Sequence, residues 1–245
     1  MTNEAKTKRA LVTGGSGDIG SVICVALADQ GVQVIVHANG NVAKAQAVVD
    51  AIREAGGMAV AVAFDVTDAS ETANGLEALL NEGPIDIVVN NAGIHDDAPM
   101  AGMSHAQWQR VIDVSLNGFF HVTQPLLLPM ARQRWGRVVC VSSVAATMGN
   151  RGQTNYAAAK GALHGAVKSL AREMGSRGIT ANVVAPGIIR GSMTEGVFDD
   201  AQIKATVPAA RAGTPPEVAA LVAFLCSDSA AYINGQIIGI NGGMA

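Results

Sequence analysis

Tyr156 and Lys160 stand four apart in Tyr156-Ala-Ala-Ala-Lys160. On a helix that spacing puts both side chains on one face. An ammonium beside a phenol favours the phenolate and lowers its pKa. A tyrosine so placed can give a proton to a carbonyl oxygen while a hydride reaches the carbon. Ser143, at the end of an apolar run, could hydrogen-bond the same oxygen. The spacing alone also describes an ordinary Tyr–Lys pair on a helix surface, so the rest of the chain has to decide.

A second group of residues suits a phosphate. Thr13-Gly14-Gly15-Ser16-Gly17-Asp18-Ile19-Gly20 follows an apolar run and precedes a helix-like stretch. Glycines there allow a tight turn and close approach of a ligand. The helix start offers free N–H groups and a positive dipole end to a pyrophosphate. The next apolar run ends in Val36-His37-Ala38-Asn39-Gly40-Asn41, with no carboxylate. An acidic residue there would select the ribose hydroxyl of NAD, so its absence points to NADP. His37 and Asn39 could donate to the extra phosphate, or be plain loop polars. Asp65-Val66 ends a further run, where Asp65 could accept from an adenine amino group or cap a helix. Asn90-Asn91-Ala92-Gly93 permits close approach of a flat ligand and could tie strand ends together.

The elements that must hold these residues are short apolar runs alternating with longer helical stretches. The runs are Ala10–Thr13, Gln33–His37, Ala59–Phe64, Ile85–Asn90, Arg137–Ser142, Thr180–Val184 and Gln236–Ile240. The stretches include Ile19–Gln30, Val42–Ala55, Ser70–Asn81, His105–Arg134 and Tyr156–Arg177. This alternation predicts an α/β fold: one Rossmann-like, doubly wound, parallel seven-stranded sheet with helices on both faces. A single domain over 1–245 is expected, with 1–8 as a flexible tail. Thr214-Pro-Pro-Glu217 reads as a helix start capped by Thr214.

Composition narrows the function. With 49% hydrophobic and 15% charged residues in 245, the chain can bury a large core. A net charge of −3 argues against nucleic acid. Cys24, Cys140 and Cys226 are widely spaced and read as buried, inert thiols. The histidines show no metal-ligand spacing, so no metal site is expected. No apolar run is long enough to span a bilayer, and MTNEAKTKRA lacks a signal-peptide pattern. A cytoplasmic protein is expected.

Together, Thr13–Gly20, Asn90–Gly93, Ser143, Tyr156–Lys160 and Pro186-Gly187 resemble the short-chain dehydrogenases/reductases, in the right order and over essentially the whole chain. The stretches Met148–Lys160, Arg177–Gly187 and Ala231–Met244 look most like the β-ketoacyl-acyl-carrier-protein reductases. The resemblance implies that Tyr156 is the general acid, that Lys160 holds the nicotinamide ribose and lowers the pKa of Tyr156, and that Ser143 positions the keto oxygen. It implies an NADP(H) site drawn from Gly14, Ser16, Gly17, Ile19, Asn39, Asp65, Val66, Asn91, Ala92, Gly93, Val114, Tyr156, Lys160, Pro186, Gly187 and Ile189. It further implies an acyl carrier protein partner docked on Arg134 and Arg177, with Arg190 adding to them. A homotetramer paired through the helices around Trp108–Arg132 and Tyr156–Arg177 and through the strand Gln236–Ile240 is also implied.

Three departures qualify it. Asp18 replaces the second glycine of the TGxxxGxG pattern, and is expected to point outward like an N-cap. Ser115 in Val114-Ser115-Leu116-Asn117-Gly118 stands where the family's asparagine holds a proton-relay water, and is expected to keep a weakened relay. Arg190-Gly191-Ser192-Met193-Thr194 lacks the family's acidic-Thr pair, so a contact to the nicotinamide carboxamide would move to Ser192 or Thr194. The alternatives are a related enzyme acting on a sugar, polyol or steroid, or a weakly catalytic cofactor-binding scaffold.

Overall fold

The computed structural model describes residues 7–192, 194, 196 and 199–245. The chain runs β1 (Arg9–Val12), α1 (Asp18–Ala28), β2 (Gln33–Ala38), α2 (Val42–Glu54), β3 (Ala59–Ala63), α3 (Ala69–Asn81) and β4 (Ile87–Asn90). It continues through α4 (His105–Ile112), a π turn (Asp113–Asn117), α5 (Gly118–Gln133), β5 (Gly136–Val141), α6 (Ala145–Met148), α7 (Thr154–Met174) and β6 (Ile179–Pro186). α8 (Asp200–Thr206), α9 (Pro215–Cys226) and β7 (Ile237–Ile240) complete it.

The strands form one sheet in the order β3-β2-β1-β4-β5-β6-β7, and every pairing is parallel. Alternate residues feed opposite faces. Ala10 and Val12 of β1 join a core with Ile23 and Leu27 of α1, Val49 of α2, and Val218 and Val222 of α9. Leu11, between them, joins a second core with Leu76 of α3, Leu126 of α5 and Leu163 and Val167 of α7. Burial on both faces is why these strands read as continuous apolar runs. The direction of winding reverses between β1 and β4, so a crevice opens at their carboxyl-terminal ends.

Two expectations are corrected. His105–Arg134 is not one α-helix, because a π turn separates α4 from α5. Asp113 braces that turn by accepting from Gln109 at 2.8 Å and from Asn117 at 2.7 Å. The wide turn carries Ser115 inward. Lys8, expected within a flexible tail, is held in place: it donates to Asp228 at 3.1 Å and its carbonyl accepts from Gln33 at 2.9 Å. Residues 1–6 lie outside the described residues. Glu217 fixes the start of α9 by accepting from the backbone N–H of Thr214 at 2.8 Å. No helix among the described residues is long and apolar enough to cross a membrane.

Candidate active site

The crevice is held open and in register by polar ties between loop ends. Thr13 Oγ1 accepts from the backbone N–H groups of Asn91 and Ala92, both at 3.0 Å. The Asn91 amide donates back to the carbonyls of Thr13 at 3.0 Å and Gly14 at 3.1 Å. Gly14 has φ +61°, and a Cβ there would lie 3.1 Å from Ala92 Cα. Glycine is therefore required both by backbone conformation and by the close approach of the two loops. Gly17 caps α1 with no side-chain hydrogen bond, leaving the first helical N–H groups to a ligand. Ser16 and Ile19 flank it and are half-buried. These features fit a dinucleotide pyrophosphate at the start of α1.

The adenosine side is mixed. His37 is buried, and its Nδ1 accepts from Gly14 N–H at 3.2 Å while Nε2 lies 2.8 Å from the Phe64 carbonyl. That pairing fixes the neutral Nε2–H tautomer, and burial keeps its pKa below the usual value despite the Phe64 bond and Asp65. His37 is thus a brace for the glycine-rich loop, neither a phosphate donor nor a plain loop polar. Asn39 remains exposed after β2. Asp65 accepts from Thr67 N–H and Oγ1, each at 2.8 Å, through one oxygen. Asp68, not Asp65, caps α3. Val66 is buried against Gly118, and its carbonyl lies 2.9 Å from His121 Nδ1.

Ser143, Tyr156 and Lys160 converge beside Gly93. Ser143 leaves β5, and its Oγ accepts from Ala145 N–H at 3.1 Å. Tyr156 and Lys160 lie in the first turns of α7, as their spacing requires. Burial raises the Tyr156 phenol above its usual pKa; a hydrogen bond with Ser143 opposes this and the Asp97 carboxylate adds to it. The net direction is upward, so the phenol keeps its proton at neutral pH. The expected lowering by Lys160 is absent here. Lys160 Nζ stands 5.9 Å from the Tyr156 ring centroid and donates to the Val141 carbonyl at 2.9 Å. Burial lowers the Lys160 ammonium to about 8. A Cβ on Gly93 would lie 2.8 Å from Lys160 Nζ, so glycine keeps this floor clear. Ser115 is buried within the π turn after Val114, and its hydroxyl has no hydrogen-bond partner among the described residues.

The far wall follows β6. Val144 N–H donates to the Pro186 carbonyl at 2.7 Å, and Gly187 N–H to the Ile240 carbonyl at 3.0 Å. Ile189 is buried. Thr194 Oγ1 folds back to the Ile189 carbonyl at 2.6 Å. Ser192 bonds to Asp18, so Asp18 is not the outward cap expected of it; it opens α1 and reaches across to this segment. Met193 lies outside the described residues.

Two expected residues stand elsewhere. Arg134 ends α5 in the left-handed region (φ 56°) and donates to the Ser176 carbonyl at 3.1 Å, next to Arg177. The pair is brought together, but at the opposite end of α7 from Tyr156, a helix of 21 residues and so about 30 Å long. Sequence reasoning missed Asp97, because only the fold carries it to Gln153 (2.9 Å) and into the field of Tyr156. The three cysteines are free and buried, and burial pushes Cys140 and Cys226 to about 12 each.

A parallel sheet with a glycine-rich crevice and a Ser–Tyr–Lys group defines a dinucleotide-dependent oxidoreductase. A family model described as enoyl-(acyl carrier protein) reductase matches residues 15–245. The chain is 45% identical over 240 residues to the 3-oxoacyl-[acyl-carrier-protein] reductase FabG of Escherichia coli, covering 97% of each. It is 44% identical over 241 residues to that of Staphylococcus aureus, covering 97% of this chain and 98% of the relative. A crystal structure from Agrobacterium tumefaciens, provisionally described as a gluconate dehydrogenase, matches with a TM-score of 0.93 at 34% identity, covering 97% of this chain and 95% of its own. The chain belongs to the short-chain dehydrogenase/reductase family, whose members use a nicotinamide cofactor.

Proposed function

We propose that the protein reduces 3-oxoacyl-[acyl-carrier-protein] to the 3-hydroxyacyl thioester with NADPH. The observation that carries this reading is the convergence of Ser143, Tyr156 and buried Lys160 beside Gly93, in a chain matching such reductases over 97% of its length. Tyr156 holds the proton destined for the keto oxygen, and Ser143 orients that oxygen. Lys160 supplies a positive charge below the ribose position. Bound NADPH supplies the hydride. Ser115 serves the relay behind Lys160 through its hydroxyl. Asp65, Val66, Asn91, Ala92, Gly93, Val114, Pro186, Gly187 and Ile189 line the cofactor path.

NADP is favoured by the missing carboxylate after β2, where exposed Asn39 is free to donate to an extra phosphate. Exposed Phe120 and Leu128, eight residues apart on α5, suit burial in a homotetramer. Arg134 and Arg177 would then steer an acidic carrier protein toward a cleft of the assembly. A cytoplasmic location fits this chemistry.

The test is oxidation of NADPH and NADH with acetoacetyl thioester, offered on CoA and on acyl carrier protein. Turnover with NADPH, faster on the carrier and about 10³-fold lower in Tyr156→Phe, is expected for loss of a general acid. No turnover despite NADPH binding would overturn the reading.

A further inference from the structure

Asp18 joins two walls of the cofactor crevice. Its Oδ2 accepts from the backbone N–H of Ser192 at 2.5 Å and from Ser192 Oγ at 2.8 Å. Gly191 permits this approach, since a Cβ there would sit 2.6 Å from Asp18 Oδ2. Asp18 is exposed, and no ion pair neutralises it among the described residues. We propose that Asp18 sets cofactor affinity by competing with the dinucleotide pyrophosphate for the start of α1 and for Ser192. This inference rests on the nicotinamide dinucleotide reading above.

The first N–H groups of α1 are uncapped by Gly17 and present a positive dipole end. That is where an anion is stabilised. A carboxylate on the first helical residue already occupies part of this field. A pyrophosphate arriving there meets a like charge at short range, which raises the free energy of the complex. It also meets Ser192 with its N–H and hydroxyl already engaged. Binding must therefore either turn Asp18 away from Ser192 or leave the two anions side by side. Both weaken binding of the pyrophosphate, and neither touches the adenosine end near Asn39 and Asp65.

The experiment measures dissociation constants by calorimetry for NADPH and for adenosine 2′-phosphate, which lacks the pyrophosphate. The proteins are the wild type, Asp18→Asn, Asp18→Gly and Ser192→Ala, each checked for an unchanged melting temperature. Both Asp18 variants are expected to bind NADPH about tenfold more tightly, the size of one like-charge contact at about 3 Å screened by bulk water. Adenosine 2′-phosphate should stay within about twofold, since it ends short of the charge. Ser192→Ala should move NADPH by less than either Asp18 variant, because the charge of Asp18 and its bond to the N–H both persist. Unchanged or weaker NADPH binding in both Asp18 variants overturns the inference, as does an equal shift for the two ligands. If NADH binds in place of NADPH, the same comparison runs with NADH and adenosine, which carries no phosphate. Binding of neither dinucleotide by any of the four proteins overturns the cofactor reading itself, an outcome distinct from binding that ignores Asp18.

Discussion

At the edge of the sheet where the strands begin, Trp135 lies between Lys8, 3.7 Å from its ring centroid, and Arg137, 4.3 Å from it. Its Nε1 donates to Asp228 at 2.9 Å, and buried Arg137 donates to the carbonyls of Ser227 and Gly136. At the edge where the strands end, Lys160 is buried with one carbonyl partner, Ser115 has none among the described residues, and Asp18 has no ion pair among them. The first edge is satisfied by its own residues. The second keeps polar groups in reserve for molecules that come and go. The contrast teaches where this fold spends stability, since under-satisfied buried groups cost free energy and persist where function uses them.

Lys160→Met should break the contrast most clearly. Turnover should fall by at least about 10²-fold, as for loss of a preorganised positive charge beside the reacting centre. Stability should move the other way. Burial lowers the Lys160 pKa from 10.5 to about 8. Below about 8 both folded and unfolded chains carry the proton, and the folded chain bears the full cost of the buried charge. Between about 8 and 10.5 the unfolded chain binds more protons, so wild-type stability rises with pH across that window. The variant should therefore gain about 1–3 kcal/mol at pH 7, an advantage that vanishes by about pH 10.5. Denaturant melts at both pH values measure it, and a destabilised variant at pH 7 would contradict the account.

Asp228→Ala probes the opposite edge. It removes the acceptor of Trp135 and Lys8 and the carboxylate 3.6 Å from Arg137. Asp228 is 74% exposed, so water screens part of the loss. The expected destabilisation is about 1–2 kcal/mol, with kcat and KM unchanged. A change in kcat without a change in melting temperature would mean that the two edges are coupled.

How far the sequence foretold this division depends on range. The seven strands were legible because burial on both faces leaves uninterrupted apolar runs such as Gln33–His37 and Arg137–Ser142. Tyr156 and Lys160 were legible because helical spacing is local. The π turn was not, because it depends on Asp113 bonding to both Gln109 and Asn117 inside an otherwise periodic helix. His37 looked like a loop polar until the fold brought Gly14 and Phe64 to its two nitrogens. The Asp18–Ser192 bond closes across 174 positions, where local pattern carries no information. Arg134 reaches the Ser176 carbonyl beside Arg177, and only the length of α7 shows how far the two arginines stand from Tyr156.

Ser115→Ala gives the smallest effect and the finest test of the contrast. The hydroxyl is 4% exposed as a residue and unpaired among the described groups, so deleting it removes a desolvated donor without opening a large cavity. If the hydroxyl were only a structural remnant, the variant would gain about 1 kcal/mol and lose no turnover. If it serves the relay behind Lys160, the same gain should come with a fall in kcat of up to about tenfold, one hydrogen bond's worth, while KM holds. Ser115→Asn separates packing from proton transfer. An amide restores donor and acceptor capacity within a turn already wide enough to bring residue 115 inward. Recovery of kcat in Ser115→Asn above wild type, with a steeper pH profile than Ser115→Ala, would mark the under-satisfied hydroxyl as a working part of the cleft.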